Sequence, residues 1–286
     1  MEINAKTRLA AVVANPIKHS LSPFIHNLAF EMTGENGLYL AWEIEEAGLE
    51  QIVKNIRLLD MYGINLSMPY KQAVLPYLDE LSPSAEAIGA VNTVVRQGDK
   101  LVGHNTDGIG FFRSLEALDY RPEGQELVVL GGGGAGMAMI AQALLDGAQA
   151  VHVFARKSHS FAGLEERLNA MSDKVKLYDL ADEAELQAKL DRSSLLVNAT
   201  SVGMDGLSMP CSEAIKLSPE LLVADAIYKV AETPFLTWAK QQGCRTTNGL
   251  GMLLYQAAEA FELWTGKEMP VEAVESALLR KMTEDK

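Results

Sequence analysis

Residues 126–136 read ELVVLGGGGAG, an apolar run that enters four consecutive glycines and leaves through Ala135 and Gly136. A continuous run of leucine and valine bounded by glycine suits a strand buried on both faces. The glycines then let the chain turn sharply into a helix and bring its backbone close to a pyrophosphate, whose charge meets the amides of the helix N-terminus. The flanking sequence supplies the context such a turn needs. Residues 137–147, MAMIAQALLDG, read as a helix stopped by Gly147, and residues 151–155, VHVFA, as a second strand. Strand, helix and strand make a βαβ unit. Further buried-strand candidates at 175–180 (VKLYDL), 194–200 (SLLVNAT) and 221–228 (LLVADAIY) extend it to a parallel sheet with crossovers. Dinucleotide binding follows, with Gly131, Gly133, Gly134 and Ala135 as the residues nearest the cofactor.

The end of the second strand bears on which dinucleotide. NAD-selective folds place an acid there for the ribose hydroxyls, whereas an arginine accommodates the 2′-phosphate of NADP. Here the chain reads Ala155, Arg156, Lys157, Ser158. Two cations and no acid favour NADP, the alternative being that Arg156 and Lys157 form a solvated loop pair.

Working outward, residues 1–105 are built differently. Short β-rich runs at 8–14, 37–44, 63–68 and 90–95 alternate with helical stretches at 22–32 and 49–60, an α/β layer with an open sheet. Four polar loop motifs end apolar runs: 15–23 NPIKHSLSP, 65–71 NLSMPYK, 89–93 GAVNT and 103–110 GHNTDGIG. They concentrate hydroxyl, amide and ionisable groups as loops lining a pocket for a polyhydroxylated ligand do. Lys71 and Asp107 are the Lys and Asp pair inside these motifs. A lysine beside a carboxylate can pass a proton to or from a hydroxyl. His19 and His104 are alternative proton carriers. Ser20 and Ser22 read equally as helix caps before Pro23 or as binding residues. After Gly249, residues 253–264 place Leu253, Leu254, Ala257, Ala258, Phe261 and Trp264 on one helical stripe, with Gly266 beyond its end and Pro270 opening another helix. These terminal helices suit either half of the chain.

Composition bounds the partners. The chain has 286 residues, about two domains' worth, and 25 basic against 38 acidic residues give a net charge of −13. That field repels nucleic acid and anionic membranes, so an anionic ligand must be held by local donors. No segment approaches a membrane span. Cys211 and Cys244 lie far apart without a metal-ligand pattern, so no metal site and a reduced, cytoplasmic setting are expected. No GxSxG, HExxH or P-loop pattern is present.

The pieces NPIKHSLSPFIHN, NLSMPYK, GAVNT, GHNTDGIG, LGGGGAG, NATSVGM, TPFL and NGLGMLLYQAAEAF, in this order, resemble the shikimate dehydrogenase family over nearly the whole chain. The resemblance implies reversible reduction of 3-dehydroshikimate to shikimate with NADP(H), in aromatic amino acid biosynthesis. It implies a two-domain α/β protein. An N-terminal substrate domain, residues 1–107 completed by 250–286, would join a Rossmann-type doubly wound domain, residues 108–249, with the active site in a cleft between them. Ser20 and Ser22 would hold the substrate carboxylate, and Asn92, Asp107 and Gln256 the ring hydroxyls. Ser67, Thr106 and Tyr228 match further substrate-side positions, while Thr200, Gly249 and Met252 match cofactor-side positions. Lys71 would be the acid/base residue, working with Asp107. The protein would act as a monomer or homodimer on a small-molecule substrate.

Departures from the family pattern are specific. Ala14 stands where Gly is common, Ser67 where Thr is usual, Ala155 where Asn is usual, and Ser160 where a second phosphate-binding Arg is common. One guanidinium and a lysine clamp a phosphate less well than two forks, which leaves NAD possible. Ser67, Tyr39 and the tail from Thr246 are closer to the quinate/shikimate dehydrogenase branch, which accepts quinate and either cofactor; Tyr39 also reads as an ordinary strand residue.

Overall fold

The computed structural model describes residues 2–284. It divides the chain into two compact units, one of residues up to Thr106 together with those from Leu254, the other of Asp107–Leu253.

In the first unit, β1 (Arg8–Ala14), β2 (Gly37–Glu43), β3 (Gly63–Leu66), β4 (Glu80–Leu81), β5 (Thr93–Gln97) and β6 (Lys100–His104) form one sheet in the order β2-β1-β3-β5-β6-β4. The sheet is mixed: β1 runs parallel to β2 and β3, whereas β5 runs antiparallel to β3 and β6. The helices α1 (Ser22–Thr33), α2 (Leu49–Leu58), α3 (Tyr70–Ala73) and α4 (Pro83–Ile88) belong to this unit. Apolar side chains from β1, β3 and α2, among them Val13, Ile64, Val53 and Ile56, are buried together in one core. Each such burial contributes about 1.5–3 kcal/mol.

The second unit contains α5 (Asp107–Glu116), β7 (Glu126–Leu130), α6 (Gly134–Leu145), β8 (Ala150–Ala155), α7 (Phe161–Met171), β9 (Val175–Asp179), α8 (Glu183–Leu190), β10 (Leu195–Asn198), β11 (Leu222–Asp225), α9 (Pro234–Gln241) and β12 (Arg245–Thr247). Its six strands are all parallel, in the order β12-β11-β10-β7-β8-β9. Counted within the unit and read from the β9 edge this is 3-2-1-4-5-6, the doubly wound order, whose direction of winding reverses between β7 and β10. Leu127–Leu130 and Leu195–Val197 are fully buried, as a sheet covered on both faces requires. Gly108 lets α5 close on α6, since a Cβ there would lie 2.3 Å from the Ala138 carbonyl oxygen.

Two helices finish the chain, α10 (Leu250–Thr265) and α11 (Val271–Glu284). The divide between the units falls inside α10, and everything after it belongs to the first unit. A divide expected after residues 107 and 249 lies after Thr106 and Leu253, because Asp107 already opens α5 and α10 runs unbroken past Gly249. Trp264 ties α10 to the first sheet through a 3.1 Å bond from its indole N–H to the Val94 carbonyl. Gly63 makes room for that indole, as a Cβ there would sit 2.4 Å from its nitrogen.

Candidate active site

In the first unit the polar loop motifs meet at the ends of β1, β3 and β5. The amide of Ser67 donates to Val13 (3.0 Å), that of Leu66 to Asn92 (2.8 Å) and that of Val91 to the Lys71 carbonyl (2.8 Å), so NLSMPYK is bound on both sides to neighbouring strand ends. Lys71 sits half-buried on α3, and Ser67 half-buried just before it.

Behind these residues lies a connected buried polar network. The Tyr39 hydroxyl donates to Asn65 Oδ1 at 2.6 Å. Asn65 Nδ2 donates to the Asn92 carbonyl (3.2 Å) and the Thr93 hydroxyl (2.9 Å), and that hydroxyl donates to Asn92 Oδ1 (2.9 Å). Asn92 Nδ2 reaches the Thr106 hydroxyl (3.0 Å), while the Thr106 amide returns a bond to Asn92 Oδ1 (2.9 Å). Asn65, Asn92, Thr93 and Thr106 are all buried. Such groups are costly unless satisfied, and satisfied they hold one geometry. Burial pushes the Tyr39 hydroxyl well above the usual phenol range, opposed by a hydrogen bond with Ser22.

The capping reading is overturned for Ser22. It is the first residue of α1, and Leu21 occupies the cap position without a side-chain cap bond. The Ser20 hydroxyl accepts from the Ser22 amide at 3.2 Å, which leaves the Ser22 hydroxyl against Tyr39. The polar face around Ser22, Tyr39, Asn65, Asn92 and Thr106 is therefore continuous. Gln256 lies half-buried on α10, in the same unit. Of the histidines weighed as proton carriers, His19 is exposed, whereas burial lowers the His104 imidazole below its usual pKa.

In the second unit, Asp107 is the half-buried first residue of α5. Gly131 ends β7 with φ +100°, and a Cβ there would lie 2.6 Å from Thr200 Cγ2. Thr200 follows β10, so the turn and Thr200 face each other where the strand order reverses, the place where open α/β sheets bind ligands. A Cβ at Gly136 would be 2.2 Å from the Gly131 oxygen, whereas nothing lies within 4 Å of such atoms at Gly133 and Gly134. The turn is thus packed on its inner side and open on its outer side. The first intrahelical bond runs from the Met137 amide to Gly133 at 2.8 Å, so the amides before it face outward at a helix N-terminus, where a pyrophosphate fits. Ala135 is half-buried on the first turn of α6.

Arg156 and Lys157 are exposed just beyond β8 and form no ion pair among the described residues. They are available to a phosphate. Ser160 lies at the start of α7, its hydroxyl 3.0 Å from that of Ser158. Tyr228, half-buried after β11, has its hydroxyl pKa raised by burial. Gly249 is buried against Ala226, and Met252 is half-buried on α10.

Sequence reasoning passed over Asn65, Thr93 and Asp225 as separate residues. The signal was present, since each is a polar residue inside or at the end of an otherwise apolar strand, where it must have a buried partner.

Residues 12–94 match the shikimate dehydrogenase substrate binding domain and residues 249–279 the shikimate 5′-dehydrogenase C-terminal domain. The chain is 59% identical over 286 residues to a shikimate dehydrogenase (NADP(+)) of Lactococcus lactis subsp. cremoris, covering 99% of this chain and 100% of that protein. It is 56% identical to the protein of the same description from Streptococcus pneumoniae, with 98% and 99% covered. A crystal structure of shikimate 5-dehydrogenase from Listeria monocytogenes in complex with shikimate and NAD superimposes with a TM-score of 0.92 at 42% identity, covering 97% and 98% of the two chains.

Proposed function

The chain belongs to the shikimate dehydrogenase family, and from that premise we propose how its residues share the work. The reaction is the reversible NADP(H)-dependent reduction of 3-dehydroshikimate to shikimate, an oxidoreduction at a CH–OH group. The bound cofactor supplies or takes up a hydride at the ring carbon. Lys71 gives a proton to the reacting oxygen in the reductive direction and removes it in the oxidative one. Asn92, Asp107 and Gln256 bind ring hydroxyls, and Ser20 and Ser22 bind the carboxylate, with Ser67, Thr106 and Tyr228 completing the substrate side. Gly131, Gly133, Gly134 and Ala135 hold the pyrophosphate, Arg156 and Lys157 the 2′-phosphate, and Thr200, Gly249 and Met252 the rest of the cofactor. Residues 1–106 with 254–286 serve as the substrate domain and residues 107–253 as the cofactor domain. The enzyme is cytoplasmic, a monomer or homodimer.

The observation that carries this reading is the buried network from Tyr39 to Thr106. It holds Asn92 at the start of β5 and the Ser22 hydroxyl at the start of α1 in one fixed geometry, as a polyhydroxylated carboxylate requires. Two observations favour activity with NAD and quinate as well. A single arginine follows β8, and Ser67 in place of Thr removes a methyl, which would leave room for the extra hydroxyl of quinate.

Initial rates with shikimate or quinate against NADP or NAD, for the wild type and Lys71→Ala, test both levels. Loss of the acid/base group should lower kcat by about 10²- to 10⁴-fold with smaller changes in KM. Wild-type turnover in Lys71→Ala would remove Lys71 from its role. Rates confined to shikimate with NADP would discard the broader specificity.

A further inference from the structure

β10 and β11 end side by side, with Asn198 paired to Asp225. Both are buried, at 0% and 1% exposure, and the chain then leaves the sheet in two long irregular loops. A carboxylate in such a place is tolerated only if its oxygens are bonded. Asp225 Oδ1 accepts from Asn198 Nδ2 (3.1 Å) and the Ile227 amide (3.0 Å). Its Oδ2 accepts from the Thr233 hydroxyl (2.7 Å). Burial raises the pKa of this carboxyl and the three bonds oppose the rise.

Asn198 passes the constraint on. Its Nδ2 also donates to the Val202 carbonyl (3.0 Å), and its Oδ1 accepts from both the amide (3.1 Å) and the hydroxyl (2.7 Å) of Thr200. A carboxylate offers only acceptors, so Asn198 must turn its NH₂ toward Asp225 and its oxygen toward Thr200. With its hydroxyl so held, Thr200 turns its methyl to the Gly131 turn. On the other side, the loop gripped at the Ile227 amide supplies the Ile227 carbonyl to the Gly249 amide (3.0 Å). A Cβ on Gly249 would lie 2.1 Å from the Ala226 oxygen, so Gly249 follows wherever residues 226 and 227 are placed.

We propose that Asp225 is a positioning residue for the cofactor: through the amide of Asn198 it orients Thr200, and through residues 226 and 227 it places Gly249. Asp225 itself touches no cofactor atom in this role. The inference rests on the assignment of Thr200 and Gly249 to the NADP site made above.

The test measures NADP⁺ affinity by calorimetry, together with KM for NADP⁺ and for shikimate, in Asp225→Ala, Asp225→Asn and Asn198→Asp. Asp225→Ala leaves the Ile227 amide and one Asn198 hydrogen without an acceptor, and should weaken NADP⁺ binding about tenfold with the shikimate KM within about twofold. Asp225→Asn keeps an oxygen for Asn198 and Ile227 and turns its NH₂ to the Thr233 oxygen, so affinity should return to within about threefold of the wild type. Asn198→Asp sets two carboxyls against each other at the 3.1 Å contact, where one shared proton mimics the lost N–H. Its NADP⁺ affinity relative to the wild type should therefore fall as pH rises. A purely structural role would lower the melting temperature of Asp225→Ala and leave the NADP⁺ affinity of the folded enzyme unchanged, and that result overturns the proposal. Should Asp225→Ala fail to fold, the Asn198→Asp profile decides: a constant ratio to the wild type at all pH values overturns it. A wild type that fails to bind NADP⁺ would instead overturn the cofactor assignment on which the proposal stands.

Discussion

His26 lies four residues after Ser22 on α1 and is fully buried. Its ring stacks on Tyr39 with centroids 4.2 Å apart and planes 11° from parallel, and it tilts against Trp264 at 5.3 Å. Neither ring nitrogen has a hydrogen-bond partner. Burial drives its pKa from 6.5 to about 3. The folded protein therefore keeps the ring neutral, while the unfolded chain takes up a proton below pH 6.5. Stability contributed by this residue is present above pH 6.5 and is lost as pH falls toward 3, by about 1.4 kcal/mol per unit. Between pH 6.5 and 5, chemical unfolding of the wild type should lose about 2 kcal/mol more than that of His26→Phe. Parallel pH curves for the two proteins would contradict the assignment. Tyr39 shows how residue-scale reading falls short. From sequence it reads equally as a marker of the quinate/shikimate dehydrogenase branch or as an ordinary strand residue. In the structure Asn27 grips its backbone on both sides at 2.8 Å while its hydroxyl reaches Asn65. Those partners lie 12 and 26 residues away, and no local pattern reports them.

At the scale of elements, the glycine turn before α6 combines backbone conformation with packing. Gly131 adopts φ +100°, which L side chains rarely take, and faces Thr200. Gly131→Ala should weaken NADP⁺ binding by about tenfold or more, since both the strain and the clash push the turn outward. Calorimetry gives the answer, and an unchanged affinity would mean that the turn is only a tight loop. The long strands and helices were legible because their pattern is internal: RLAAVVA and ELVVL coincide with β1 and β7, and Gly147 and Gly266 take positive φ just beyond α6 and α10. β4 and β12, two and three residues long, were not, nor was β6 as a strand. Short strands bury too little to show a period, and their neighbours alone make them strands. For Ser22, local sequence left capping and binding equally open, but α1 starts at Ser22 itself and Leu21 holds the cap position.

Taken whole, the molecule has one unit built from a continuous segment and one built from both ends of the chain. The first unit thus depends on α10 and α11 for its core. Trp264, 7% exposed, bonds to Val94, and Val274 and Leu278 are fully buried. Trp264→Ala should cost about 3–5 kcal/mol. The loss should appear as a lower melting temperature and a raised shikimate KM with NADP⁺ affinity retained. Equal loss of NADP⁺ affinity would show that the damage is not confined to the first unit. Among the described residues no helix is long and apolar enough to cross a membrane.

The sequence by itself determined the family, the dinucleotide fold and the motifs on which the proposed site rests, because glycine turns, buried strands and polar loop motifs are local chemistry written in consecutive residues. Only the tertiary structure decided which serine faces Tyr39, that the divide between the units falls inside α10, and how Asn65, Asn92, Asn198 and Asp225 are satisfied. The reason is physical: a buried hydrogen bond depends on where two strand ends meet, and strand order is set by packing across the whole sheet.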